Sequence, residues 1–207
     1  MIKFVYFDVG GVVIKDFSGN DKWDELRNEI GITPANRGKF DEIWNASGDQ
    51  HSTTFDVDDL VPILMKELNL NLPRGYSLLM GFVNRFEKNE KLWPVISEIG
   101  GKVPVGLLTN MYPRMLGEIR TAGLIPPIDW NVIVDSSIVK LQKPDAAIYK
   151  FAEEKAEVDG SNILFVDNSQ AHLDAAAKSF GWQTFLYDPT RDSESSDELM
   201  DYFNSNK

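Results

Sequence analysis

No cysteine occurs in this chain, which excludes disulfides, thiolate metal sites and thiol nucleophiles together and agrees with a reducing compartment. Histidine is almost as scarce. With only His51 and His172, a cage of several imidazoles around one metal is excluded as well. Cations are also short: 21 Lys and Arg stand against 32 Asp and Glu, a net charge of −11, which repels phosphate backbones and anionic lipid over most of the surface. Nucleic acid and membranes are therefore not the expected partners, while a small anion stays compatible with a locally basic site. No apolar run reaches the roughly 20 residues that span a bilayer, and Ile2 to Phe7 is too short and too early for a signal peptide. A cytoplasmic location is the expectation.

What is present is an ordinary globular composition. At 207 residues, 43% hydrophobic and 26% charged, the chain exceeds a usual domain of roughly 100 to 150 residues, so one large domain or a core with an insert is expected. Short runs rich in Val, Ile, Leu and Phe read as parallel strands buried on both faces: Ile2 to Phe7, Val103 to Leu108, Val132 to Val134 and Ile163 to Val166. The more amphipathic Trp182 to Tyr187 reads as a strand nearer an edge. Helical patterns fall between them at Leu92 to Ile99, Arg114 to Ala122, Asp145 to Lys155 and Ala171 to Phe180. Alternation of this kind predicts an α/β fold with a doubly wound parallel sheet. The polar, acidic tail from Thr190 leads to "SDELMDYF", which from Ser196 reads as a capped terminal helix.

One long stretch breaks the rhythm. "WDELRNEIGI", "RGKFDEIW", "DDLVPILMKELNL" and "YSLLMGFVNRF" are helical rather than strand-like, so residues 15–91 are expected as an inserted α-helical subdomain and residues 1–14 with 92–207 as the α/β core. Its aromatics Trp23, Phe40, Trp44 and Phe82 read mainly as core, and Arg37, Arg85 and Lys91 as a solvated face.

Ligands of open α/β sheets collect beyond the carboxyl ends of the strands. The polar residues there are Asp8 after the first strand, Thr109 and Asn110 after the second, and Asp167, Asn168 and Ser169 after the fourth, with Lys143 just ahead of a helix that Pro144 and Asp145 open. Each has a plainer reading: Asp8 as a turn cap, "TN" as turn or helix-cap chemistry, Lys143 as a surface lysine. Gly10 and Gly11 leave room for an anion against backbone N–H groups, or form a tight turn that needs positive φ.

Taken in order, "FDVGGVV", "LLTN", the lysine of "KLQKPDAAIY" and "FVDNSQAHLDAA" resemble the four motifs of the haloacid dehalogenase (HAD) superfamily of hydrolases, in its subfamily I form with a helical cap after the first motif. The resemblance implies a Rossmann-like core and a phosphatase-like reaction on a small phosphorylated metabolite. It implies Asp8 as the nucleophile, forming a covalent aspartyl intermediate, with Thr109 on a phosphoryl oxygen and Lys143 neutralising charge. Gly10, Gly11 and Asn110 would contact substrate. Mg²⁺ would lie between Asp8, the Gly10 carbonyl, Asp167 and Asn168.

Two positions depart from the family's phosphatases. Where these usually carry a second Asp as general acid and base, this chain has Gly10; such assistance is worth roughly 100- to 10,000-fold, so substrates with good leaving groups are expected, or a neighbouring or cap side chain must stand in. Where a second acid usually binds the metal, Asn168 offers an uncharged carbonyl, and weak metal binding follows. His172, a few residues on, reads either as a replacement acid or base or as a capping or surface residue. Two alternatives stay open: a HAD-fold binding or regulatory protein without turnover, and metal-free dehalogenase chemistry, for which a halide needs no proton. The dehalogenase branch usually has Tyr at the place of Gly10 and an early cap arginine, where this chain has Lys15.

Overall fold

The computed structural model describes residues 1–46, 48 and 53–207. His51, one of the two histidines counted above, lies outside the described residues. From the N-terminus, β1 (Phe4–Phe7) turns through the glycines to β2 (Ile14–Lys15). The helices α1 (Lys22–Glu29), α2 (Arg37–Ala46), α3 (Leu60–Glu67) and α4 (Leu78–Val83) follow, and β3 (Glu87–Lys88) returns antiparallel to β2. Then come α5 (Leu92–Gly100), β4 (Val105–Thr109), α6 (Met115–Thr121), β5 (Val132–Asp135) and a single turn, α7 (Ser136–Val139). The chain ends with α8 (Ala146–Ala156), β6 (Ile163–Asp167), α9 (Gln170–Phe180), β7 (Gln183–Leu186) and α10 (Asp192–Asn206).

The main sheet is parallel, in the order β5-β4-β1-β6-β7. After β1 the chain builds outward through β4 and β5, then crosses back to lay β6 and β7 on the other flank. That reversal opens a crevice at the carboxyl ends of β1, β4 and β6.

Side chains of successive strand residues point to opposite faces, and both faces are covered. Val5 and Phe7 join one apolar cluster with Ile96 and Ile99 of α5 and Leu199 and Phe203 of α10. Phe4 and Tyr6 join a second with Ile148 and Tyr149 of α8 and Ala176 of α9. Each such side chain, fully withdrawn from water, contributes about 1.5–3 kcal/mol, so unbroken apolar runs become strands here. The first cluster continues into the four helices between β2 and β3 through Leu26, Phe40, Leu64 and Leu79.

Element ends differ from the sequence expectation in three instructive places. The second strand starts at Val105, because the N–H groups of Lys102 and Val103 turn back to the Ile99 carbonyl and close α5. Arg114 precedes α6 with φ of 71° instead of forming its first turn. The terminal helix begins at Asp192, so Ser196 is no cap: it lies inside α10, buried, with its hydroxyl donating to the Asp192 carbonyl at 2.6 Å.

Candidate active site

Three strand ends and one loop deliver the polar residues. Asp8 follows β1, whose pairing continues one step as the Asp8 N–H donates to the Val166 carbonyl at 2.9 Å. Thr109 and Asp167 are the last residues of β4 and β6. Lys143 arrives from the loop before α8, and the Asn110 side chain holds it by the backbone: Nδ2 donates to the Lys143 carbonyl and Oδ1 accepts its N–H, both at 2.9 Å. Asn110 thereby holds Lys143 beside β4 with one of its two amide hydrogens and one lone pair, while still lining the cavity described below.

The result is a buried chain of charges. Lys143 Nζ lies 3.0 Å from Asp8 Oδ1 and 2.7 Å from Asp167 Oδ2, with its side chain wholly withdrawn from solvent. It is no surface lysine. Burial alone would discharge the ammonium, but Asp8 and Asp167 outweigh it and hold its pKa above the ordinary lysine value. Burial pushes the Asp8 carboxyl up to about 6 against the pull of Lys143, with the Asp167 charge adding to the rise. For Asp167 burial is opposed by Lys143 and by His172, and the carboxyl stays below the usual carboxylate range. His172 Nδ1 sits 3.1 Å from Asp167 Oδ2, so it belongs to the charge cluster and is neither a helix cap nor a free surface residue.

Thr109 differs from all of these. It is fully buried, and its Oγ1 has no hydrogen-bond partner among the described residues. A buried hydroxyl left unpaired is costly, and such exceptions mark places where something else binds.

The glycine turn carries two separate requirements. Gly11 has φ of 71°, and a Cβ there would lie 2.2 Å from Asn168 Nδ2, so both conformation and space demand glycine. Gly10 has no such φ. A Cβ there would instead lie 2.7 Å from Asp16 Oδ2. Asn168 turns its amide nitrogen to Ser18 Oγ at 3.2 Å, which ties the loop after β2 to the end of β6.

A cavity of about 250 Å³ opens beside Gly10 and Asn110. Its walls are mostly apolar, with Phe17, Phe82 and Phe86 from the insertion and Met111, Tyr112 and Met115 from the core, and Asp16 among them. Phe82 is therefore both core and wall. A wider, more open depression of about 580 Å³ lies at the opposite strand ends, near Lys3 and Asn162, and is lined by acids such as Glu154 and Glu157; it is remote from the carboxyl-end crevice. Over the rim, Arg114 reaches from the core to Asp56 at 2.7 Å and Asp58 at 2.8 Å, and Lys140 Nζ donates to the Thr53 carbonyl at 2.7 Å. Arg85, read as solvated face, is largely covered and pairs with Glu29 at 2.6 Å.

A divalent cation of the kind the resemblance implies needs hard oxygen ligands. Asp8, Asp167 and His172 present ligand atoms within 4.8 Å of one another, yet Lys143 already bridges the two carboxylates, and a second cation between them would meet its charge. Asp167 is further spent on His172 and on the Ser169 N–H, 2.7 Å from Oδ1. Asp8 Oδ1 is engaged by the Val9 N–H and by Lys143; the second Asp8 oxygen is the charged donor left, with the carbonyls of Gly10 and Asn168 as the neutral ones nearest it along the motifs. Such donors fit a Mg²⁺ that keeps several waters, and Asp167, paired with Lys143, presents a further carboxylate oxygen in the same group as Asp8.

Sequence reasoning missed Asp16, which belongs to no motif; its only signal was a carboxylate six residues beyond Gly10 on a short return loop. It also missed Arg114, hidden in a helical pattern.

No family model matches the chain. Among curated proteins it is similar to (S)-2-haloacid dehalogenase 1 of a Pseudomonas species, 22% identical over 167 residues that span 78% of this chain and 67% of that protein. Among solved structures it is similar to a HAD family enzyme of Bacteroides thetaiotaomicron in complex with magnesium and inorganic phosphate, with a TM-score of 0.72 at 17% identity over 90% of this chain and 94% of that one. It is likewise similar to an L-2-haloacid dehalogenase from Xanthobacter autotrophicus, with a TM-score of 0.62 at 20% identity over 90% and 78% of the two chains. The fold is that of the HAD enzymes.

Proposed function

We propose that this chain is a hydrolase that passes a phosphoryl group from a small phosphorylated metabolite to Asp8 and then to water. The observation that carries the reading is the unpartnered Thr109 hydroxyl, buried at the same strand ends as Asp8 and Lys143. A donor without a protein partner beside a nucleophile is a place kept for a substrate oxygen. In this reading Asp8 attacks phosphorus, the bond to the leaving oxygen breaks, and water then hydrolyses the aspartyl-phosphate. Lys143 offsets the charge on Asp8 and on the transferring group, Asp167 keeps Lys143 charged and aimed, and Gly10 and Gly11 let the phosphate approach the backbone. Mg²⁺ held by Asp8 and the carbonyls of Gly10 and Asn168 would supply further charge stabilisation at the phosphoryl oxygens. Residues 15–91 form the cap of this reading, and the β2–β3 ribbon that closes the insertion supports that boundary. The apolar cavity wall favours a substrate whose body is uncharged, and hydrogen at Gly10 favours one whose leaving group needs no proton.

A second reading, displacement of halide from a 2-haloacid by the same Asp8, is favoured by one observation: position 10 supplies no acid, and halide needs none. Lys15 counts against it, since its ammonium is bound to Asp192 at 2.5 Å and is not turned to the site. One panel decides between them: acetyl, phenyl and sugar 1-phosphates with and without Mg²⁺, and 2-chloropropionate, each with wild type and Asp8→Asn. Phosphate release that Asp8→Asn abolishes with an unchanged circular dichroism spectrum is the expected result. Chloride release that persists in excess chelator, with no phosphate release, would replace it by the second reading.

A further inference from the structure

The carboxylate absent at position 10 is returned, in space, from position 16. A Cβ on Gly10 would lie 2.7 Å from Asp16 Oδ2, so Asp16 already fills the volume into which a longer side chain at Gly10 would grow. It is held there from both sides. Asp16 Oδ1 accepts the Ser18 N–H at 2.8 Å, an Asx turn that orients the side chain, and Asn20 Nδ2 donates to the Asp16 main-chain carbonyl at 2.8 Å, which holds the backbone. Ser18 in turn is bound to Asn168, so the turn is anchored to the end of β6. Asp16 also lines the same cavity as Gly10 and Asn110, with its carboxylate beside the residue two steps from the nucleophile.

We propose that Asp16 is the general acid and base of this site. The proposal rests on the phosphoryl-transfer reading and extends it. As the bond from Asp8 to phosphorus forms and the bond to the ester oxygen breaks, the Asp16 carboxyl gives its proton to the departing alkoxide, which leaves as alcohol. In the second half, the Asp16 carboxylate takes a proton from the attacking water as the new oxygen–phosphorus bond forms and the Asp8–phosphorus bond breaks. The sum is ester and water to alcohol and phosphate, with Asp8 and Asp16 restored. Gly10 then marks the space that Asp16 needs, and unactivated alkyl phosphates become substrates that position 10 alone would exclude.

The test is the dependence of kcat/KM on the leaving group. Asp16→Asn keeps the size of the side chain and its bond to the Ser18 N–H. It should lower kcat/KM by about 100-fold or more on alkyl monophosphates, and by less than about 3-fold on acetyl and p-nitrophenyl phosphate, whose leaving groups depart without a proton. An equal loss on all esters, or no loss on any, overturns the proposal. A second pair decides the matter should Asp16→Asn fold poorly. Asp16→Ala opens the space, and adding Gly10→Asp to it moves the carboxylate back along the chain; a recovery of at least about 10-fold confined to alkyl esters is expected, and no selective recovery overturns the role. Wild type that releases phosphate from no ester at all would instead sink the phosphoryl-transfer reading, and this proposal with it.

Discussion

Thr109 and Lys143 are buried polar groups at the same rim, and the structure treats them oppositely. The Thr109 hydroxyl has no partner among the described residues, so Thr109→Val should leave stability unchanged or raise it by up to about 1 kcal/mol, because an unpaired hydroxyl is removed. The same change should lower kcat/KM by about 100-fold, the cost of one oxyanion donor; thermal melts and steady-state rates read the two effects separately. Lys143 carries both tasks. Lys143→Met leaves Asp8 and Asp167 buried without their shared cation, and removal of one partner of a buried pair costs about 3–5 kcal/mol, to be read as a lower denaturant midpoint alongside lost turnover. That Asp8, Thr109, Lys143 and Asp167 would gather at one rim was visible at this scale, since each stands just where a strand or loop ends. What each one touches was not. That Asn110 grips the backbone of Lys143, and that His172 faces Asp167, depends on side-chain directions that no spacing in the chain encodes.

Among elements, the helical insertion meets the core through a shared apolar cluster and through polar bonds, of which those of Arg114 are charged on both sides. Arg114, held at φ of 71° before α6, forks onto Asp56 while also reaching Asp58, which itself accepts from the Ser77 hydroxyl and the Leu79 N–H. The Arg114 guanidinium, against a smaller opposing effect of burial, holds the Asp56 carboxyl below the usual carboxylate range. A depressed folded-state pKa gives stability that is present above the unfolded value, near 3.9 for Asp, and is lost as pH falls through the lower folded value. The Tm advantage of wild type over Asp56→Asn should therefore be largest at neutral pH and shrink steadily below about pH 4; an advantage that stays constant down to pH 3 would show that the pair contributes nothing through charge. Helices α1, α2 and α3 of the insertion were legible because each is amphipathic over about two turns, as in "DDLVPILMKELNL", whereas α4 is a six-residue apolar run buried at all but one position. β2 and β3 were not, since two residues carry no period, and they are recognised only by facing each other.

For the whole molecule, the sheet was legible because its strands are covered on both faces and so read as unbroken apolar runs. The order of those strands was not, because the crossover rule sets the hand of each connection and leaves the neighbours open; the crevice at the β1, β4 and β6 ends follows from the observed order. The two-residue ribbon has a consequence of its own. Ile14 stands opposite Lys88 and Lys15 opposite Glu87, so the chain leaves the core and re-enters it at one spot, like the two ends of a loop of thread drawn through a single eyelet. Whatever is strung between those ends, its length never reaches the hydrogen bonds of the main sheet. Selection could therefore lengthen, shorten or exchange much of that stretch, and with it the part of the cavity wall made by Phe17, Phe82 and Phe86, while the strands that lead to Asp8, Thr109 and Asp167 stay as they are.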